Sequence, residues 1–313
     1  MPLCVFDIFA DGTATVPTDT GLTGPGEYRW WHFDLSDPML APWVRQHLHA
    51  IAAGSLIQPK TRPRCDRFDT GLMLNLRGIN LNAGQSADEM VSVRIYADKD
   101  VLITVRRNKV FAIEAIRLQA VAQNAPTSPA AFLEKLIELL TDRVDDHVAT
   151  IDVQTDVYED ALEDKNTPMP RSLPENRRSV IRLRRYLEPQ RAALNKLSMT
   201  DIPMIPENST LRLHELANRA ANAVEELDEL QGRLISVQEE HDANIAQRQA
   251  RHGYVLSVAA AVFLPLGFLT GLFGVNVGGM PGVSAPQAFA VLCLSMVGLG
   301  VLMLIVLRLV RWL

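Results

Sequence analysis

The chain has 313 residues and a formal net charge of −5, with 21% charged and 48% hydrophobic residues. An acidic balance argues against a nucleic-acid surface and fits attraction of cations, so no nucleic-acid partner is expected. Cys4, Cys65 and Cys293 lie far apart without a CxxC spacing, which excludes both a disulfide framework and a sequence-local structural zinc site.

The opening residues, MPLCVFDIFADGTA, lack a basic stretch followed by a sustained apolar core, so no signal peptide is expected. Over the first 120 residues the periodicities are short. Stretches 5–9, 28–35, 70–81, 91–97, 101–106 and 110–116 read as strands, several with apolar and polar residues alternating, and 42–53 reads as one helix. SVRIYAD and VLITVRR, separated by Lys99 and Asp100, predict a hairpin. Residues 1–125 are thus expected to form an α/β or α+β domain.

From Ser128 the period becomes helical. Ser128 suits an N-cap and Pro129 the first helical position. Apolar residues then step by three and four from Phe132 to about Leu162, the pattern breaks at NTPMP, and a second helix runs from about Leu173 to Leu197. The first helix is acidic and the second basic. Two readings follow: an antiparallel pair with charged faces opposed, or an acidic helix that also draws metal cations toward a conduction path. The pair is assigned to residues 126–205.

The longest helix follows. Leu213, Leu216, Ala220, Val224, Leu227, Leu230, Leu234 and Val237, with Ile245 further on, recur at coiled-coil-like spacing, and no Pro or turn cluster interrupts before residue 253. One helix from about residue 207 to 273 would be on the order of 100 Å long at 1.5 Å per residue. Such a rod needs neighbours, from the same chain or from other copies.

Residues 253–307 contain no Asp, Glu, Lys, Arg or His. A spanning helix needs about 20 predominantly apolar residues, and this run holds two, 254–273 and 286–307, joined by a loop at 274–285 rich in Gly and Pro. Arg248, Arg251 and His252 precede the first span, and Arg308 and Arg311 follow the second in a short basic tail at 308–313. Positive flanks stay in the cytoplasm. Both termini, the α/β domain, the helical pair and the stalk at 206–253 are therefore expected on the cytoplasmic side of a cell inner membrane, with Trp312 as an interfacial anchor.

A long helix running into the first of two C-terminal apolar helices, then Gly274-Val275-Asn276 followed by Met280-Pro281, resembles the CorA superfamily of divalent metal ion transporters. The usual family tripeptide is Gly-Met-Asn; Gly-Val-Asn with NVGGMPG is similar to the ZntB-like zinc-transporting branch. The resemblance implies an α+β fold with a cytoplasmic α/β domain, a long helical stalk and two transmembrane helices in a funnel-shaped homopentamer. It further implies that zinc is the transported ion rather than a prosthetic group, that transport is linked to protons, and that the first membrane helix lines the pore with the second toward lipid. Val275 in place of Met, and Gly282 where many Gly-Met-Asn members carry Glu, depart from the magnesium pattern and leave the loop without an acidic ring.

The residues fit that role physically. Gly274 lets backbone approach closely and can free a carbonyl at the helix end, and Asn276 offers a neutral amide to the water shell of a hydrated cation without trapping it. Gly253, Leu256, Ala260, Leu264, Gly267, Gly271 and Gly274 recur at steps of three and four, flanked by Ser257 and Thr270. That stripe is either the pore face or a small-residue packing face. Pro265 opens one backbone bond in mid-helix.

Imidazole ligands would favour zinc over magnesium. His147 stands among Asp142, Asp145, Asp146 and Asp152, and His241 with Asp242 lies just before the membrane at a seam-like position that could form a ring in an oligomer. Each is also readable as a packing or surface residue. His252 at the cytoplasmic entrance could titrate near neutral pH. No phosphate loop, nucleophile elbow or metal-hydrolase spacing is present, so no enzyme is expected. A CorA-like magnesium or cobalt channel and a membrane-anchored oligomeric scaffold are the competing readings.

Overall fold

The computed structural model describes residues 1–164, 167–275, 282 and 285–309. Contacts divide the chain into two units, Met1–Gln238 and Glu239–Leu313.

The first unit is built on a seven-stranded sheet. Its strands are β1 (Cys4–Ile8), β2 (Ala14–Thr15), β3 (Tyr28–Asp34), β4 (Arg64–Phe68), β5 (Gly71–Gly78), β6 (Val91–Ala97) and β7 (Val101–Arg106), in the order β2-β1-β3-β7-β6-β5-β4. Every neighbour is antiparallel except β3 and β7, which run parallel with Trp30 opposite Leu102 and His32 opposite Thr104. Successive side chains point to opposite faces, and both faces are covered. Trp30, Leu72, Leu74, Val93, Ile95 and Leu102 join one core with α3 (Phe111–Val121) and the first half of α4 (Pro129–Glu163); Trp31, Phe33, Met73, Tyr96, Ile103 and Val105 join another with α1 (Leu40–His47) and α2 (Ala50–Ile57).

A third core holds the helices together. Val144, Val148, Ile151 and Tyr158 of α4, Val180, Leu183 and Leu187 of α5 (Leu173–Met199), and Val224, Leu227, Leu230, Leu234 and Val237 of α6 (Glu207–Gly274) pack as one cluster. The seam of the long helix is therefore satisfied within the chain as far as Val237. Ser128 caps α4 by accepting from the Ala131 amide at 3.1 Å, with Pro129 in the first turn.

Four expectations need correction. Residues 110–116 are not a strand: Ile113, Ile116 and Ala120 recur at helical spacing on the buried side of α3, while Leu118 and Val121 face out. The single helix at 42–53 is two, because Leu48 is extended and His49 starts α2 as an N-cap whose ring accepts from the Ile51 amide. The expected set of strands is short by two: β2 and β4 fall outside every run read as a strand, and in β4 only Cys65 is buried. The acidic helix answers the long helix rather than the basic one: Arg219 of α6 binds Asp142 at 2.8 Å and Asp145 at 2.6 Å, and Arg233 binds Asp152, Asp156 and Glu159 of α4. Three carboxylates on one guanidinium hold the Arg233 charge firmly, and its pKa is raised.

The second unit contains the remainder of α6 and α7 (Ala288–Leu309). Both are long and apolar enough to cross a membrane, with mean hydropathies of 2.2 and 2.8 in their most apolar windows. The expected loop motif lies mostly outside the described residues: Gly274 and Val275 are described, whereas Asn276, Met280 and Pro281 are not.

Candidate functional site

Helix α6 continues unbroken through Pro265 to Gly274, so Gly253, Leu256, Ser257, Ala260, Leu264, Gly267, Thr270 and Gly271 stand on one regular helix. All of these are exposed in the single chain. The half-covered residues of the same stretch are Val258, Ala259, Ala261, Val262, Pro265, Leu266 and Leu269. At roughly 100° per residue, the centres of the two sets lie about 180° apart. On α7 the less exposed residues likewise make one strip, Ala288, Leu292, Met296, Leu299, Gly300, Met303 and Leu307.

Among the described residues the small-residue stripe therefore has no partner. A Cβ placed on Gly253, Gly267, Gly271 or Gly274 would meet nothing within 4 Å. Thr270 bonds back to its own helix, donating to the carbonyls of Leu266 at 3.2 Å and Gly267 at 3.0 Å, which consumes its proton and leaves the hydroxyl oxygen as an acceptor. A face of glycine, alanine and leucine with hydroxyl acceptors at its edge can bind water of hydration but supplies no anionic ligand to strip it.

The acidic and imidazole candidates do not assemble. Among the described residues no group of three or more His, Cys, Asp or Glu side chains is placed to hold a metal ion. Asp145 turns to Arg219, and Asp146 is exposed. His147, two residues further along, is rotated by about 200°; its Nε2 is buried without a partner. Burial lowers its pKa, and the nearby charge of Asp88 opposes that shift. Asp88 is itself engaged by Arg182 at 2.6 Å. Sequence neighbours that looked like one cluster thus point to different helices. His241 is half-buried and Asp242 exposed, and both stand on α6 beyond the last core residue, Val237.

His32, which carried no assigned role, proves to be the most deeply buried histidine. Its Nδ1 lies 2.8 Å from the Thr104 hydroxyl, which also receives the Trp30 indole N–H at 2.9 Å. Burial pushes its pKa down to about 4. It is a core residue, and only the register of β3 against β7 could have revealed that.

A sequence profile of the family described as "CorA-like Mg2+ transporter protein" matches residues 25–309. The zinc transport protein ZntB of Pectobacterium atrosepticum is 34% identical over 270 residues, 86% of this chain and 83% of its own. The divalent cation transporter CmaX of Pseudomonas aeruginosa is 34% identical over 294 residues, 92% and 89% of the respective chains. The solved structure of full-length CmaX superposes with a TM-score of 0.86 at 31% identity, over 99% of this chain and 98% of that one. The CorA magnesium transporter of Methanocaldococcus jannaschii, at 13% identity, shares the fold with a TM-score of 0.78 over 100% of both chains.

Proposed function

From the premise that the chain belongs to the family of CorA-like transporter proteins, we propose that it carries divalent cations, zinc foremost, across the cell inner membrane. The observation that carries this reading is the glycine-lined face of α6, exposed in the chain and opposite the side that is half-covered. Five copies around an axis would turn Gly253, Leu256, Ala260, Leu264, Gly267, Gly271 and Gly274 inward, with Ser257 and Thr270 at the margins and α7 toward lipid. The cation keeps its water along such a wall, since conduction needs binding weak enough to release. Gly274, Val275 and Asn276 then select at the outer mouth, and the termini lie in the cytoplasm, as the basic flanks favour. His241, Asp242, His147, Asp145 and Asp146 could ligate zinc only with groups from another copy.

Zinc is favoured by the names of the similar proteins and by the Gly-Val-Asn variant. Magnesium is the second reading, favoured by the family description itself. Coupling to protons would have to work without a carboxylate relay, because residues 253–307 carry none; His252 is the nearest titratable group at the entrance.

The test is metal uptake into liposomes holding the purified protein, zinc against magnesium, with and without an inward proton gradient, for wild type and Asn276→Ala. Zinc flux that rises with the gradient and drops at least about tenfold in the variant, a loss of some 1.4 kcal/mol in the barrier step, is the expected result. Magnesium flux indifferent to the gradient would replace zinc by the channel reading. No flux of either metal would leave the scaffold reading standing.

A further inference from the structure

The sheet of the first unit buries two arginines, and they are treated in opposite ways. Arg29 on β3 is fully buried and held by Asp7, with its Nη2 at 2.8 Å from Oδ2, and by Asp19 at 2.6 Å; its pKa is raised. Arg94 on β6 is equally buried, at 1% exposure, but its partners are the carbonyls of Gln58 and Pro59 and the Ser92 hydroxyl. These neutral groups satisfy its N–H donors and leave its charge uncompensated, which is costly in a buried place. Burial and the like charges of Arg77 and Arg107 push it down to about 10.

The neighbours repeat the pattern. Arg77 on β5 donates only to the carbonyls of Met90 and Thr61, and its Nε is buried without a partner. Its guanidinium lies 4.0 Å from the centre of the Tyr186 ring, and Arg185 lies over the same ring at 5.7 Å. Arg185 and Arg107 are exposed. Among the described residues none of these four arginines makes an ion pair with a carboxylate. Asn75, directly opposite Arg94 in the β5–β6 register and on the same sheet face as Arg77, is 2% exposed, yet neither its amide nitrogen nor its oxygen has a partner. In a chain of net charge −5, guanidiniums without a carboxylate partner, beside a buried amide with no protein partner, make a place suited to an anion.

We propose that the row Arg185, Arg77, Arg94 and Arg107 is an anion site on the sheet domain, taking a phosphate-bearing ligand with more than one negative charge. Arg77, Arg107 and Arg185 are the groups that reach solvent and would contact the ligand, because guanidinium donors match phosphate oxygens in pairs. Arg94 acts from beneath through its field alone. A divalent or higher anion fits better than a monovalent one because several fixed charges, not one, lack a counter-charge. The site lies on different elements from the α6 glycine face and does not depend on the transport reading.

The experiment is titration calorimetry with pyrophosphate on the full chain, in nanodiscs of neutral lipid and in nanodiscs containing phosphatidylglycerol, with sodium chloride matched for ionic strength. The variants are Arg107→Ser and Arg185→Ser, singly and together; both positions are exposed, so the fold is kept, and circular dichroism checks it. Saturable binding of one pyrophosphate per chain in neutral nanodiscs, weakened about tenfold or more in the double variant and absent with chloride, is expected. Binding lost only in the phosphatidylglycerol nanodiscs would assign the phosphate to a lipid headgroup. Absence of saturable binding in neutral nanodiscs, or binding unchanged by the double variant, would overturn the proposal.

Discussion

Glycine is used in contrary ways at Gly26 and Gly71 of the sheet domain and along the apolar half of α6. In the sheet domain a Cβ on Gly71 would stand 2.2 Å from the Ala97 carbonyl oxygen, and one on Gly26 would stand 2.3 Å from that of Ile8. Those positions are glycine because their own chain leaves no room. On α6 the same test at Gly253, Gly267, Gly271 and Gly274 finds open space. A residue that costs a helix roughly 0.5–1 kcal/mol relative to Ala, repeated along one face with no described neighbour to require it, points to a reason outside the chain: another copy, a pore, or both. Gly26 and Gly71 are explained by the backbone they touch, and the glycines of the apolar half of α6 are not.

That contrast can be broken at several points. The largest effect is expected where internal demand is greatest: Arg29→Met would strand Asp7, which is 3% exposed, and should cost about 3–5 kcal/mol in denaturant unfolding followed by tryptophan fluorescence. A cost near zero would mean that Asp7 escapes to solvent. Acidification comes next. The His32 pKa, about 4 in the fold against an ordinary value of 6.5, means that the unfolded chain binds the proton more readily. Its contribution is therefore complete above pH 6.5 and is lost as pH falls toward 4, about 3 kcal/mol in all. A His32→Gln variant should flatten that part of the stability profile, and an unchanged profile would remove His32 as its source.

Gly71→Ala should destabilise the sheet by about 1–3 kcal/mol, through overpacking against backbone that cannot yield. The identical exchange at Gly271 is expected to have the opposite sign, a gain of up to about 1 kcal/mol in helix stability, while metal flux in liposomes falls. If Gly271→Ala instead lowers the thermal midpoint of the assembly and spares flux, the stripe is a packing face between copies and not the wall of a pore.

Much of this was readable before any coordinates. Strands β6 and β7 fall on the alternating runs residue for residue, and the N-cap at Ser128 and the whole course of α6 follow from local chemistry. Helix α3 was hidden because a dense apolar run fits either period, and only burial of Ile113, Ile116 and Ala120 decides between them. Strand β4 was hidden because its sequence, RCDRF, gives only Cys65 to the core. The partner of the acidic helix was misread for a different reason. Composition fixes the sign of a helix face but not its neighbour, and the arginines that answer it, Arg212, Arg219 and Arg233, sit singly on a helix that carries many acids of its own. For the candidate site, the stripe was visible from spacing; what could not be seen is that it lies opposite the half-covered side of α6. The row of unanswered arginines was invisible, since their sequence positions are scattered: strand register brings Arg77 near Arg94, and α5 sets Arg185 over the Tyr186 ring that Arg77 also covers.

The parallel pairing of β3 with β7 sets a timetable for synthesis. Tyr28–Asp34 can pair with β1 at once, but its other edge stays open until Val101–Arg106 has emerged, and its Trp30 ring, packed at 4.8 Å against Phe132, waits for α4 as well. The loop that must be closed first is long, so this step is slow. Both apolar helices come later in the chain than every strand and than α4 and α5. Domains generally fold N-terminal first as they are made, so the sheet and the helices that cover it leave the ribosome ahead of the two apolar segments, which are the last elements to become available to a bilayer.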